Sequence, residues 1–246
     1  MSSSVTSRAV TSVLQNRREV AQGTMAFRFE KPPGWVFTSG QFLDMTLVDP
    51  PETDAEGNTR SFSIASAPAE DTLMIATRMR DTAFKRVLKT MSIGGSVMIE
   101  GPSGDLTLPV DSARPVVLLA GGIGVTPFRS MLVHAAREKL PHRLFLFYSN
   151  RRPEDTPFLQ ELRALEKENQ RFKMIATMSE MTSSQRPWNG KTGQIDAALL
   201  SESLKDAVSP VYYVAGPPAM VQALSETLRQ QSVPDADIHA EEFSGY

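Results

Sequence analysis

Four short segments carry residue types that hold phosphate-like anions. The first is GGIGVTP at 121–127, which ends an apolar run and opens a helical pattern. Small residues there let backbone amides approach a pyrophosphate, and a helix N-terminus adds positive potential. Its spacing is not GxGxxG, so a tight strand-to-helix turn is the competing reading. The second is AGPPAM at 215–220; alone it reads first as punctuation, with Gly ending a strand and Pro starting a helix. If the two preceding strands are neighbours, these turns flank one crevice at the carboxyl ends of the sheet. The third is RSFSIASAP at 60–68. Arg60 offers a planar fork of donors, and Ser61 and Ser63 offer hydroxyls. On a strand Arg60 and Phe62 share one face and Ser61 and Ser63 the other; by itself Arg60 reads as an exposed strand arginine. The fourth is TRMRDTAFK at 77–85, where Asp81 or Thr82 suits a helix N-cap among Arg78, Arg80 and Lys85. Basic residues around a helix are ordinarily just solvated.

The elements that must position these segments change period near residue 110. Before it, Met25, Phe27 and Phe29 alternate with Ala26, Arg28 and Glu30, and short strands read at 42–48, 60–64, 72–78 and 96–100. The Pro- and Gly-rich text KPPGW, DPPETDAEGN and SAPAED separates them, the pattern of an antiparallel sandwich or barrel. One helix, 82–91, puts Ala83, Phe84, Val87 and Leu88 on one face. After Arg114, near-continuous apolar strands at 116–120, 143–148, 172–177, 211–215 and 238–242 alternate with helices. The first helix starts near Pro127. The second is expected to begin at a Thr156 cap with Pro157 at its first position. The third covers 195–204, and the fourth starts at Pro217 or Pro218. This implies a parallel, doubly wound sheet covered on both faces. The fold class is therefore an N-terminal antiparallel β-barrel followed by a five-stranded parallel α/β sheet, with domains 1–110 and 111–246.

Composition narrows the function. At 41% hydrophobic and 22% charged, the 246 residues suit an ordinary globular chain and not a disordered one. Lys+Arg (26) and Asp+Glu (28) nearly cancel, so no basic footprint for nucleic acid is expected. With no cysteine, the chain has no disulfide, thiolate nucleophile, Cys-ligated zinc or Cys-ligated iron–sulfur cluster. His134, His142 and His239 lack metal-ligand spacing, and no metal site is expected. The start lacks an apolar signal region, and the most apolar stretch, 115–125, is short and broken by glycines. A cytoplasmic protein without membrane insertion is the expectation.

Together with SGQF at 39–42 and EGPSGDLTL at 100–108, the four segments resemble, in order and placement, the ferredoxin–NADP⁺ reductase superfamily over 8–246. The resemblance implies a FAD-binding barrel followed by a five-stranded NAD(P) domain. Arg60 would pair with a flavin phosphate beside Ser61, Phe62 would lie against the isoalloxazine or ribityl chain, and Ser63 would hydrogen-bond near flavin N5. The family usually has Tyr at the position of Phe62, so its phenol hydrogen bond is absent here. Thr77, Arg78 and Met79 match the strand lining the flavin. Thr82, Ala83, Phe84 and Lys85 match the helix start that takes a pyrophosphate, which points to FAD rather than FMN. Gly121, Gly122, Gly124, Thr126 and Pro127 match the nicotinamide-nucleotide turn. Gly216, Pro217 and Pro218, followed by Met220, match the family's CGPP; Ala215 replaces its cysteine and excludes a thiol mechanism. The ending EEFSGY resembles members that place a terminal acid or aromatic beside the flavin: Phe243 first, Tyr246 second, with Glu242 as the acid. Ser63, Glu242 and Phe243 are the candidate catalytic residues.

The implied activity is hydride transfer from nicotinamide C4 to flavin N5, with electrons passed to a separate acceptor such as ferredoxin, flavodoxin or an oxygenase component. Any iron–sulfur partner must be another protein. The alternative is a non-catalytic flavin-binding regulatory or electron-transfer subunit, against which the intact GGIGVTP and AGPP segments argue. In the family the end of the second parallel strand faces the adenosine ribose. Here that place holds Ser149, Asn150 and Arg151, no carboxylate, which tilts the expectation to NADPH or to both nicotinamides. Glu154 and Asp155 are expected to favour the N-terminus of the following helix.

Overall fold

A computed structural model describes residues 9–243. Six strands, β1 (Val10–Ala21), β2 (Thr24–Glu30), β3 (Phe42–Leu47), β4 (Thr59–Ser63), β5 (Thr72–Arg78) and β6 (Ser96–Ser103), form an antiparallel sheet in the order β4-β3-β6-β1-β2-β5. Its edges meet just beyond β4, where Ala65 N–H donates to Met74 O of β5 at 2.7 Å. That bond closes the sheet into a barrel and removes the unpaired edge. Alternate residues such as Leu43, Met45 and Leu47 point inward, as the period-two text requires. Helix α1 (Ala83–Thr90) plugs the same core with Phe84, Val87 and Leu88.

Strand β1 has no clear period in the sequence, for a physical reason. Only Ser12 and Leu14 of its twelve residues are buried, and the ladder to β2 shifts register between Leu14 and Asn16. It is held by pairing to β2 and β6 on both sides rather than by an apolar face.

The second sheet is parallel: β7 (Val116–Gly121), β8 (Leu144–Asn150), β9 (Phe172–Met178), β10 (Lys191–Thr192), β11 (Val211–Gly216) and β12 (Ile238–Glu242), in the order β10-β9-β8-β7-β11-β12. The five expected strands are joined by the two-residue edge β10, too short to leave a pattern. Helices α2 (Val125–Arg137) and α3 (Leu159–Glu168) cover one face, and α4 (Ala197–Ser203) and α5 (Pro218–Gln230) the other. Every residue of β7 and β11 is buried, which explains their unbroken apolar runs.

One helix start differs from expectation. Thr156 does not cap α3: residues 153–155 form a 3₁₀ turn, and the Thr156 hydroxyl donates back to Arg152 O at 2.9 Å. The helix begins at Leu159, after Phe158 in a left-handed conformation at φ 58°. Glu154 and Asp155 therefore serve the loop and not a helix end. Asp155 holds Arg152 at 2.7 and 2.9 Å, while Glu154 accepts from Gln185 N at 3.0 Å and Ser184 Oγ at 2.9 Å.

Candidate cofactor and nucleotide site

The barrel half of the site is built around Arg60. Its neighbour two positions on, Phe62, shares its face, and both reach Phe84 of α1. The guanidinium lies 5.3 Å from the Phe84 ring centroid, and the two rings are 5.8 Å apart. Arg60 is thus folded over an aromatic shelf, unlike a solvated strand arginine. Its Nη2 meets Asp54 Oδ1 at 3.0 Å and Glu56 Oε2 at 2.9 Å. The other oxygen of Asp54 accepts the Ala83 N–H at 3.2 Å, at the first turn of α1, which Thr82 caps through Lys85 N–H at 3.4 Å. One carboxylate therefore bridges Arg60 and a helix N-terminus, which is the arrangement an oxyanion of a phosphate also satisfies. Burial pushes the Asp54 carboxyl up. The Arg60 hydrogen bond, then the Glu56 and Ala83 amides with the Arg60 charge, hold it below the ordinary range. Nearby, burial first and then the charges of Arg80 and Arg60 pull the Lys85 ammonium down, with Glu56 opposing them.

Along the strands, Ser63 is buried at the end of β4, and Thr77 is buried on β5. The Nε of Arg78 is buried without a hydrogen-bond partner among the described residues. These fit a polar ligand lying across the ends of β4 and β5. Ser61 does not join them: its hydroxyl donates to Asp44 across the strand pair.

The parallel half is built from two strand ends. Gly121 and Gly216 close β7 and β11, and a Cβ on Gly216 would lie 3.1 Å from Gly121 N. A Cβ on Gly124 would meet Ala215 O at 2.3 Å, so the two turns approach backbone to backbone. Gly122, at φ 54°, instead has no described atom within 4 Å of where a Cβ would sit. Thr126 is tied inward, its hydroxyl donating to Ile123 O at 3.0 Å, and Pro127 is buried. Met220 lies over Gly121, with Pro217 beside it and Pro218 starting α5. At the end of β8, Ser149 is half-buried and Asn150 is buried with its amide nitrogen unpartnered among the described residues. Arg151 is exposed, 3.5 Å from Glu180, whereas Arg152 is committed to Asp155.

Alternation decides the carboxyl-terminal residues. Glu242 is exposed and accepts from Gln222 of α5 at 3.1 Å, on the sheet face away from the barrel. Glu241 points the other way, toward Asp105 at the barrel exit; burial, then the Asp105 charge, raise its carboxyl to about 6. The parity of β12 was a signal for this choice, since His239, on the same face, stacks on Tyr213, whose hydroxyl reaches Thr107 O. Phe243 joins that face beside the cluster containing Leu106, Tyr213 and Ala215, with its N–H on Gly216 O at 2.9 Å. Tyr246 lies outside the described residues. Asp54 was hidden in an acidic loop that sequence reads only as turn text.

The two halves touch where the Gly122–Gly124 turn lies against β5, the strand of Thr77 and Arg78. Residues 118–226 match the oxidoreductase NAD-binding domain family. Ferredoxin–NADP reductase B of Sorangium cellulosum is 30% identical over 225 residues, 87% of this chain and 89% of that protein. The chain belongs to the ferredoxin–NADP⁺ reductase family. This reductase-family chain also matches the glycine betaine monooxygenase reductase subunit of Chromohalobacter salexigens, 27% identical over 89% of the chain. It spans 60% of that relative's length and 61% of the propane 2-monooxygenase reductase component of Gordonia. Among solved structures, the cytochrome P450 reductase of Amycolatopsis superposes with a TM-score of 0.80 at 23% identity, covering 96% of this chain and 70% of that one. The flavohaem-like FAD/NAD binding domain of a nitric oxide dioxygenase from Vibrio cholerae gives 0.79 at 20% identity, covering 95% and 98%. Among the described residues of this family member, no helix is long and apolar enough to cross a membrane.

Proposed function

We propose that the chain is a NAD(P)H-dependent flavin oxidoreductase that passes electrons to a separate protein, with residues 1–110 holding FAD and 111–246 the nicotinamide nucleotide. The observation that carries this reading is the Asp54 carboxylate shared by Arg60 and the Ala83 N–H in a barrel whose β5 lies against the Gly122–Gly124 turn. Arg60 and the start of α1 would hold the pyrophosphate, Phe62 and Phe84 would shelve the flavin, and Thr77, Arg78 and Met79 would line it. When bound, the flavin supplies the redox chemistry, taking a hydride at N5 and releasing electrons onward. Ser63 would hydrogen-bond near N5, and Phe243 would cover the ring. Glu241, rather than Glu242, would hold a proton near the reacting atoms, because it faces the barrel exit and keeps its proton to about pH 6.

Gly121, Gly122 and Gly124 would admit the nicotinamide nucleotide between α2 and the Gly216–Pro217–Pro218 turn, with Thr126, Pro127 and Met220 shaping its floor. Arg151, exposed and opposed by Glu180 at 3.5 Å, supports pairing with a 2′-phosphate and hence NADPH. The relatives that are reductase components of oxygenases support an oxygenase component as acceptor, and the ferredoxin–NADP reductase relative supports a ferredoxin. Anaerobic titration of the flavin-loaded protein with NADPH and NADH tests the reading: the flavin absorbance bleaches, with kcat/KM favouring NADPH and the preference lost in Arg151→Ala. Absorbance that neither nicotinamide bleaches overturns it. Acid release of the cofactor yields FAD; FMN alone contradicts the pyrophosphate assignment.

A further inference from the structure

Helix α2 carries a buried cation that the reading above does not use. Arg129 is 2% exposed, less than one turn beyond Thr126 and Pro127. It reaches out of the parallel domain into the barrel. Nη1 donates to Ala65 O at 2.6 Å and to Glu70 Oε2 at 3.0 Å; Nη2 contacts Glu70 Oε1 at 3.4 Å and Glu161 of α3. Phe158 lies 5.3 Å beneath the guanidinium. Next to it, Ser130 Oγ donates to Ser66 O at 2.6 Å. Two successive carbonyls of the segment leaving β4 thus take their donors from α2.

The barrel side of this contact is itself braced. Glu70 Oε2 accepts Ala67 N–H at 2.7 Å, and Ser66 Oγ accepts Met74 N–H at 2.9 Å. Ser63 is two residues from Ala65, and the Gly122–Gly124 turn is the residue run just before α2. A buried ion pair is a poor way to gain net stability, since apolar residues of similar volume do as well. What it adds is direction: a planar fork fixes both distance and angle, which a lysine or an apolar contact does not.

We infer that Arg129 is a positioning residue, setting through Ala65 and Glu70 the approach of the nucleotide-bearing turn of α2 to the flavin-bearing end of β4. The inference rests on the flavin oxidoreductase reading. Because hydride transfer is steep in donor–acceptor distance, a displacement of about 1 Å can slow it on the order of a hundredfold.

The test is anaerobic stopped-flow reduction of the flavin-loaded protein by NADPH and by NADPH deuterated at the transferred position. In Arg129→Lys the limiting rate of flavin reduction falls at least about tenfold, and the primary isotope effect and the nicotinamide–flavin charge-transfer band change. Flavin content and the Kd for NADPH stay within about twofold, because the residues that touch either cofactor are intact. Should the lysine variant not fold, Arg129→Met/Glu70→Leu removes both charges together and is read the same way. A folded, flavin-loaded variant with the parental limiting rate and isotope effect overturns the inference. A parent whose flavin is not reduced overturns instead the reading beneath it.

Discussion

Arg60 is a residue whose role depends on company. As one of 26 basic residues it says little, but over Phe84 and against Asp54 it becomes half of the proposed anion site. Arg60→Ala removes charge-assisted hydrogen bonds of about 1.5–3 kcal/mol each, so FAD is lost on dialysis far faster than from the parent. Retention equal to the parent's removes Arg60 from the site. Asp54→Asn acts oppositely: the carboxylate that occupies Arg60 and the Ala83 N–H loses its charge, and FAD binds more tightly. Weaker binding in that variant shows that Asp54 helps rather than competes. Glu241 gives a stability signature. Its folded-state value of about 6 lies above the ordinary 4.5, so the folded chain binds the proton more tightly than the unfolded one. Stability from this group is present below pH 4.5 and lost as pH rises through about 6. Melting curves of Glu241→Gln between pH 4.5 and 7 lack that fall; an unchanged slope assigns it to another group.

At the scale of elements, the crossing of β7 and β11 into their helices depends on glycine for two different reasons. Gly122 needs its φ of 54°, with no described atom within 4 Å of where a Cβ would sit, and Gly122→Ala costs only about 1–2 kcal/mol. Gly124 has ordinary helical backbone at φ −58° but no room, since a Cβ would sit 2.3 Å from Ala215 O. That neighbour is backbone, so the two turns must part, and Gly124→Ala costs more, about 3 kcal/mol. Chemical denaturation of the two variants gives this order; a milder effect at 124 shows that α2 shifts freely against β11.

The whole molecule is two sheets locked at one end by a buried charge cluster. Burial pushes Glu70 up, but the hydrogen bonds and charge of Arg129, with the Ala67 amide, hold its carboxyl below the ordinary 4.5. A carboxyl with a depressed folded value contributes stability that is present above 4.5 and disappears as pH falls through that lower value. Glu70→Gln is therefore destabilised at pH 7, by roughly 3 kcal/mol since it breaks a buried pair. Its acid limb is flatter than the parent's. Thermal melts from pH 7 to 3 measure both, and parallel parent and variant curves rule out Glu70 as the acid-sensitive group.

Local text alone determined the two periods of the chain, the glycine and proline turns and the arginine–serine strand. Period-two burial and buried parallel strands leave unmistakable runs, as in β3 and β7. The α3 start misled because Thr156–Pro157 has cap chemistry, yet the 3₁₀ turn and the Arg152–Asp155 pair claim those residues first. β1 was silent because ladder bonds, which any residue can make, hold it in place of an apolar face. Tertiary structure alone brought Asp54 from an acidic loop onto Arg60 and joined Arg129 to Glu70 across 59 positions. Each of those choices concerns a charge, and a charge is decided by what lies within a few ångströms in space, which spacing along the chain does not encode.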